Sequence, residues 1–224
     1  MANRSTTSVV IGWLDGGVTA GDFTESVARL AAYEVAKQRL ATTIRIRSGP
    51  LLAEGRNLLV ERFLDVEADW LLMVDSDMVF PHTTAERLLH LADPHSAPVV
   101  GGLCFGVNTE FGQFPTLYRL VDGLPAVWFD YPRDTAVEVD ATGAAMLLMH
   151  RDVFVKYRRD TDPHLWFHRR QVPPCDRYPH GGYLSEDLSW CLHLRDHDVP
   201  IWVDTGVTVG HIKPTIVSEE TYTR

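Results

Sequence analysis

The sequence lacks the features that would place it in several large classes. No apolar run approaches the roughly 20 residues that a membrane-spanning helix requires. The opening MANRSTTSVV has no basic segment followed by a long apolar stretch, so it does not read as a secretory leader, and a cytoplasmic protein is expected. Cysteine is scarce. Cys104, Cys175 and Cys191 are odd in number and widely spaced, and no CxxC pair occurs, which argues against both a zinc ribbon and a disulfide framework. They are expected to be reduced, with Cys191 on the core-facing side of a helix. Positive charge is in deficit: 21 Lys and Arg against 30 Asp and Glu give a formal net charge of -9. A protein that coats nucleic acid through a general basic field is thereby disfavoured, although a local basic patch is not. No internal repeat or low-complexity tract is present.

The remaining composition is that of a globular protein, 45% hydrophobic and 23% charged, and 224 residues suffice for one α/β domain with a substantial core. Strand and helix patterns alternate, which predicts a mostly parallel sheet flanked by helices. Ser8–Trp13 reads as a strand. Asp22–Leu40 reads as a helix with Phe23, Val27 and Leu30 at helical spacing. Thr42–Arg47 alternates as a second strand, and Leu52–Leu64 is a second helix with Leu52, Leu59 and Phe63 on one face. Trp70–Val74 is apolar at every position, as a central strand buried on both faces must be. A helix over Thr83–Ala92, capped by Thr83 or Thr84, and a strand over Pro98–Cys104 follow.

Beyond that point, Pro115–Leu120 and Ala126–Phe129 flank Asp122-Gly123 as a hairpin. Val137–His150 carries the apolar strand AAMLLM after Thr142-Gly143. His164–Tyr183 is rich in Pro, Arg, His and aromatic residues and reads as a long functional loop. Trp166 and Phe167 would anchor it, or it would form a lid or acceptor platform, with Arg158, Arg159, Arg169, Arg170 and Arg177 supplying a basic patch. Ser185 caps a helix to about His197 with Leu188, Cys191 and Leu192 inward, and Pro200–Asp204 is the last strand before Gly210-His211.

The chemistry concentrates at Asp75-Ser76-Asp77. In a parallel sheet, ligands gather beyond the carboxyl ends of the strands, and a buried strand ending in D-x-D delivers two carboxylates there. Their mutual repulsion favours a cation, Mn2+ or Mg2+, which would neutralise a departing nucleoside diphosphate. His211, after a late strand, could join Asp75 and Asp77 in the metal set, and an imidazole favours Mn2+. The bland alternative has both Asp residues merely ending a turn before Pro81. Glu186 and Asp187 either complement a helix dipole or face the cleft, Asp187 as general base. Arg56 and Asn57 are either solvated or hold phosphate, a carboxylate or a nucleotide.

Taken in order, VVIGWLDGG, Gly55-Arg56-Asn57, WLLMVDSDM, VDATGAAMLLMHRDVF, SEDLSWCLHLRDHDVPIW and VGHI resemble the GT-A glycosyltransferases, in particular the inverting family 2 group and its phage and bacterial relatives. The resemblance spans about Val9 to Lys213. It implies a GT-A α/β fold over 1–224, with a nucleotide-binding half at about 8–104 and an acceptor half at about 105–213. It further implies transfer of a sugar from a UDP- or GDP-sugar to an acceptor hydroxyl on protein, glycan or modified DNA. In that scheme Asp77 and His211 bind the metal, and Asp75 contacts the metal through water or touches ribose or sugar. Asp187, beside Glu186, is the base. Arg56 and Asn57 hold the nucleotide or the D-x-D loop, Thr142, Gly143 and Ala144 line the sugar pocket, and Trp13 and Asp15 meet the base. The rivals are a phosphatase with D-x-D after a strand, a nucleotidyltransferase, and a binding module without catalysis. The phosphatase class carries its motif on the first strand, and LDGGVTAGD has no Lys or Arg for a nucleotidyltransferase phosphate loop.

Overall fold

A computed structural model describes residues 7–158 and 165–214. The elements in chain order begin β1 (Val9–Asp15), α1 (Gly21–Ala36), β2 (Leu40–Arg47), α2 (Leu52–Leu64), β3 (Trp70–Asp75), β4 (Met78–Val79), α3 (Thr84–Leu91) and β5 (Val99–Leu103). The middle of the chain forms β6 (Phe105–Asn108), β7 (Gly112–Pro115), β8 (Leu117–Val121), β9 (Leu124–Val127), β10 (Ala136–Val139), β11 (Ala141–Thr142), β12 (Met146–His150) and α4 (Arg151–Lys156). The last described elements are β13 (Arg170–Val172), β14 (Gly182–Leu184), α5 (Glu186–Arg195), β15 (Ile201–Thr208) and β16 (Gly210–His211).

Seven strands form the central sheet in the order β10-β15-β5-β12-β3-β1-β2. Strands β2, β1, β3, β5 and β15 run parallel, while β12 and β10 run antiparallel to their neighbours. The sheet is therefore mixed and mostly parallel, as expected, and it draws strands from both halves of the chain. Side chains alternate across it. Leu71 and Met73 of β3 pack with Leu59, Val60 and Phe63 of α2, Phe154 of α4, and Trp190 and Cys191 of α5. Trp70, Leu72 and Val74 pack on the opposite face with Phe23, Val27 and Leu30 of α1 and Leu88 of α3. This burial on both faces is the reason for an unbroken apolar run in β3.

Several boundaries differ from the sequence reading. Helix α1 stops at Ala36 rather than Leu40, because Gln38 turns the backbone to φ 56° and releases Leu40 into β2. Leu52 does not join Leu59 and Phe63 in the core; it is 47% exposed. Asp122 and Gly123 both have positive φ, the two-residue turn that suits a hairpin, and join β8 to β9. The long loop contains a two-stranded ribbon, β13 with β14, and its Trp166 and Phe167 are buried. Its arginines go to separate partners: Arg169 lies over Tyr183, Arg170 pairs with Asp196, and Arg177 donates to the Pro125 carbonyl. Arg159 and His164 lie outside the described residues. Cys104, Cys175 and Cys191 are free thiols, and Cys104 and Cys191 are buried. Among the described residues, no helix is long and apolar enough to cross a membrane.

Candidate functional site

Two groups of side chains meet at the rim formed by the carboxyl end of β3. The first lies on the α2 side. Asp75 follows Met73 by two residues and so points to the same face, where Arg56 of α2 reaches it. The guanidinium Nη2 donates to both Asp75 oxygens, at 2.9 and 3.2 Å, and Nη1 donates to Glu186 Oε1 at 2.5 Å. Arg56 is buried and its Nε has no hydrogen-bond partner. Burial alone would lower its pKa; the carboxylates Asp75, Asp187 and Glu186 more than reverse that and raise it, so the buried group stays charged.

Gly55 and Asn57, on either side, explain the rest of this segment. A Cβ on Gly55 would lie 2.3 Å from Leu14 Cδ2 and 2.7 Å from Ser48 Oγ, so only glycine lets α2 press against the ends of β1 and β2. The Asn57 amide accepts from the backbone N–H groups of Trp166 and Phe167 at 2.9 and 2.8 Å, and donates to the Phe167 carbonyl at 2.8 Å. Asn57 thus holds the loop. The expectation that it reads a nucleotide is corrected, because three of its four hydrogen-bonding positions are taken by backbone.

Asp187, in the first turn of α5, is half-buried. Its Oδ1 accepts from the Ser185 hydroxyl and from the Leu188 N–H. Its Oδ2 faces Gly143, where an added Cβ would sit 3.6 Å away. Thr142 donates to the Thr116 carbonyl at 2.8 Å and its own carbonyl accepts from the Cys191 thiol, so its polar atoms are occupied locally. Ala144 is buried, and the Ala145 carbonyl accepts from the Asp75 N–H at 3.0 Å, which ties this segment to the rim. Tyr118, which packs nearby, has its phenol pushed up to about 12 by burial and by the Asp187 charge.

The second group lies on the α1 side, as the core membership of Met78, Phe80 and Val209 shows. A shift in register between Asp204 and Thr208 carries the chain from β15 to β16, and β16 pairs antiparallel with β4, placing His211 opposite Met78. The Ile212 N–H donates to the Asp77 carbonyl at 2.8 Å. This ribbon brings His211 Nε2 to 2.8 Å from Asp77 Oδ2, with Lys213 Nζ at 3.4 Å from the same oxygen. His211 Nδ1 lies 2.7 Å from the Phe105 carbonyl, which can only accept, so Nδ1 carries a proton. Nε2 thus lies within hydrogen-bond distance of the Asp77 carboxylate. Carboxylate and imidazole are both donor types that a divalent cation takes, and here one of each faces the other at the rim. Asp75 does not complete a three-ligand set, because Arg56 takes its carboxylate; no group of three candidate ligands occurs among the described residues.

Trp13 and Asp15 are also on the α1 side, away from Arg56. They line a hollow of about 450 Å3 with Gly17, Phe23 and Arg45. Asp15 accepts from Arg45 Nε and Nη2 at 2.5 and 2.7 Å, from the Gly17 N–H at 2.7 Å and from Trp13 Nε1 at 3.1 Å. The Arg45 hydrogen bond, with Gly17, Trp13 and the Arg45 charge, outweighs burial and holds its pKa down to about 2. Each oxygen already accepts two hydrogen bonds, so the expectation that Asp15 reads a base is corrected: it braces the turn after β1. The sequence reading also missed Lys213, since nothing in a short tail signals that its amine comes back to Asp77.

No family model matches the sequence, and no curated protein matches it. Solved structures do. The crystal structure of A197 from STIV is 14% identical and covers 93% of this chain and 87% of that one, with a TM-score of 0.55. GalNAc-T7, solved with UDP, GalNAc and Mn2+, is 9% identical over 94% of this chain, with a TM-score of 0.59. The fold is GT-A, glycosyltransferase-like. This chain spans 45% of the GalNAc-T7 chain. A glycosyltransferase involved in glycosylation of the major capsid of PBCV-1 is similar over 65% of this chain and 61% of that one, at 13% identity and a TM-score of 0.36, too distant to add to the fold.

Proposed function

We propose that the chain is a metal-dependent glycosyltransferase that moves a sugar from a nucleoside-diphosphate sugar to an acceptor hydroxyl, with inversion. One observation carries the reading: His211 and Asp77, 134 residues apart, meet through Nε2 and Oδ2 at the rim where Arg56 gathers Asp75 and Glu186. Mn2+ or Mg2+ held there would neutralise the diphosphate leaving group, and the imidazole favours Mn2+.

The chain's own groups would act on both sides of the rim. Lys213 adds a positive charge beside Asp77, where a diphosphate would lie. The nucleoside end is assigned to the hollow beside Trp13, on the same side as Asp77. Asp187 is the base. Its Oδ1 is held by Ser185 and Leu188, which leaves Oδ2 toward Gly143 to take the acceptor proton. Glu186 is a positioning residue rather than a second base, because its carboxylate is tied to Arg56. Asp75, tied to the same guanidinium, orients donor hydroxyls or acts on the cation through water.

A second reading, nucleotidyl transfer, has one observation in its favour. The glycine turn after β1 has no basic residue of its own, but β2 brings Arg47 against Gly17 and Arg45 against Asp15. The deciding assay incubates UDP-, GDP- and dTDP-sugars, and the corresponding nucleoside triphosphates, with Mn2+, Mg2+ or EDTA. Metal-dependent release of one nucleoside diphosphate, lost in Asp77→Ala, is the expected result. Pyrophosphate release from a triphosphate would favour the second reading. Absence of any metal-dependent nucleotide binding would sink both. Product stereochemistry by NMR checks inversion, and a retained anomer would remove Asp187 from the base role.

A further inference from the structure

Between the first turn of α2 and the β13–β14 ribbon lies an open cavity of about 490 Å3, within the roughly 300–1,000 Å3 typical of small-ligand sites. One wall is apolar: Leu51 and Leu52 are 60% and 47% exposed. Tyr183 stands in the lining as well, 56% exposed. The Arg169 guanidinium sits 5.1 Å from the centroid of its ring, a cation–π contact that fixes the ring's orientation. Ser185 and Glu186 line the cavity too, immediately before Asp187 in the chain, and the Ser185 hydroxyl donates to Asp187 Oδ1.

The lining has two properties that select a ligand. Its exposed leucines and aromatic ring offer a flat apolar surface beside polar groups, which suits a ring with one C–H face and a belt of hydroxyls. Its formal charges balance: the Glu186 carboxylate is paired with buried Arg56, which leaves Glu54 against the guanidinium of Arg169. A lining without excess positive charge gives a polyanion no counter-charge. We propose that this cavity is the acceptor site and takes a neutral saccharide, its ring stacked on Tyr183 and one hydroxyl directed toward Asp187. The inference rests on the glycosyl-transfer reading and narrows its acceptor: a glycan is favoured over DNA.

The test uses the full chain and p-nitrophenyl glycosides of neutral hexoses as acceptor probes, with a single-stranded DNA oligonucleotide as the rival. Nucleotide release from the donor is followed with and without each probe. A glycoside should stimulate release in the wild type. Tyr183→Ala should raise KM for that glycoside about tenfold, the worth of one stacked ring, with KM for the donor unmoved, and Tyr183→Phe should restore it. Stimulation by DNA, or an unchanged glycoside KM in Tyr183→Ala, overturns the proposal. If no donor is cleaved, the glycosyl-transfer reading fails by itself, and saturation-transfer NMR then judges the cavity. Transfer to a glycoside that is lost in Tyr183→Ala keeps the site; no transfer in the wild type removes it.

Discussion

Replacing Asn57 by Ala isolates the joint between α2 and the loop. Three hydrogen bonds disappear together, leaving the N–H groups of Trp166 and Phe167 and the Phe167 carbonyl without partners. Trp166 and Phe167 are 2% and 0% exposed, so water cannot replace the amide without moving the loop. Each stranded group costs about 1–3 kcal/mol. Moving the loop instead would expose two large aromatic side chains at about 2–3 kcal/mol each, so the cheaper route still costs about 3–5 kcal/mol. For a chain of this size that lowers Tm by about 10 °C. Asn57→Asp separates the contributions. A carboxylate can accept both N–H bonds but repels the Phe167 carbonyl, so it keeps two of the three contacts. Calorimetry should place the Tm of Asn57→Asp between those of the wild type and Asn57→Ala, and amide exchange at 166 and 167 should accelerate in Asn57→Ala. Unchanged exchange at those two amides would refute the reasoning, whatever the Tm.

Asp15→Asn should cost about 1–2 kcal/mol at neutral pH, after allowance for the exposure of Arg45. The folded pKa is depressed, so the stabilisation is present above the unfolded value near 4 and fades as pH falls through about 2; the wild-type and variant stability curves should converge there. Gly55→Ala forces a methyl against Leu14 and Ser48 and should destabilise by about 1–3 kcal/mol in denaturant titrations. Gly143→Ala meets its neighbours at ordinary contact distances, 3.4 Å from Thr116 and 3.6 Å from Asp187. It should keep the wild-type Tm while lowering transfer, because the methyl sits beside Asp187, the proposed base. Burial drives the Cys104 thiol up, and the Cys191 thiol up to about 12, while Cys175 is exposed. A thiol reagent at pH 8 should therefore modify one cysteine in the native chain and three after denaturation.

Local pattern alone carried the strongest parts of the reading. Two-sided burial leaves an unmistakable apolar run at Trp70–Val74, and the D-x-D that follows had to lie at the rim. Leu52–Leu64 was legible as a helix to the residue, as was the hairpin turn at Asp122-Gly123. The end of α1 was not, because the positive φ falls on Gln38, which carries none of the usual glycine or asparagine signal. The ribbon within the loop was hidden for a related reason: three-residue strands such as β13 and β14 are too short to show alternation.

Sequence by itself therefore determined the mixed α/β class, the buried strand that ends at Asp75, and the list of candidate polar residues. What those residues do was decided by tertiary structure, since a side chain's role depends on which partners reach it. Arg56 takes both Asp75 and Glu186, so two carboxylates from distant segments share one guanidinium. Asn57 and Asp15 spend their hydrogen bonds on the loop and on the turn after β1. Asp77, His211 and Lys213 become a single site only because a two-residue ribbon pairs β16 with β4. No local periodicity encodes a pairing between segments more than 130 residues apart; it follows from the shared burial of Met78 and Val209 on the α1 face of the sheet.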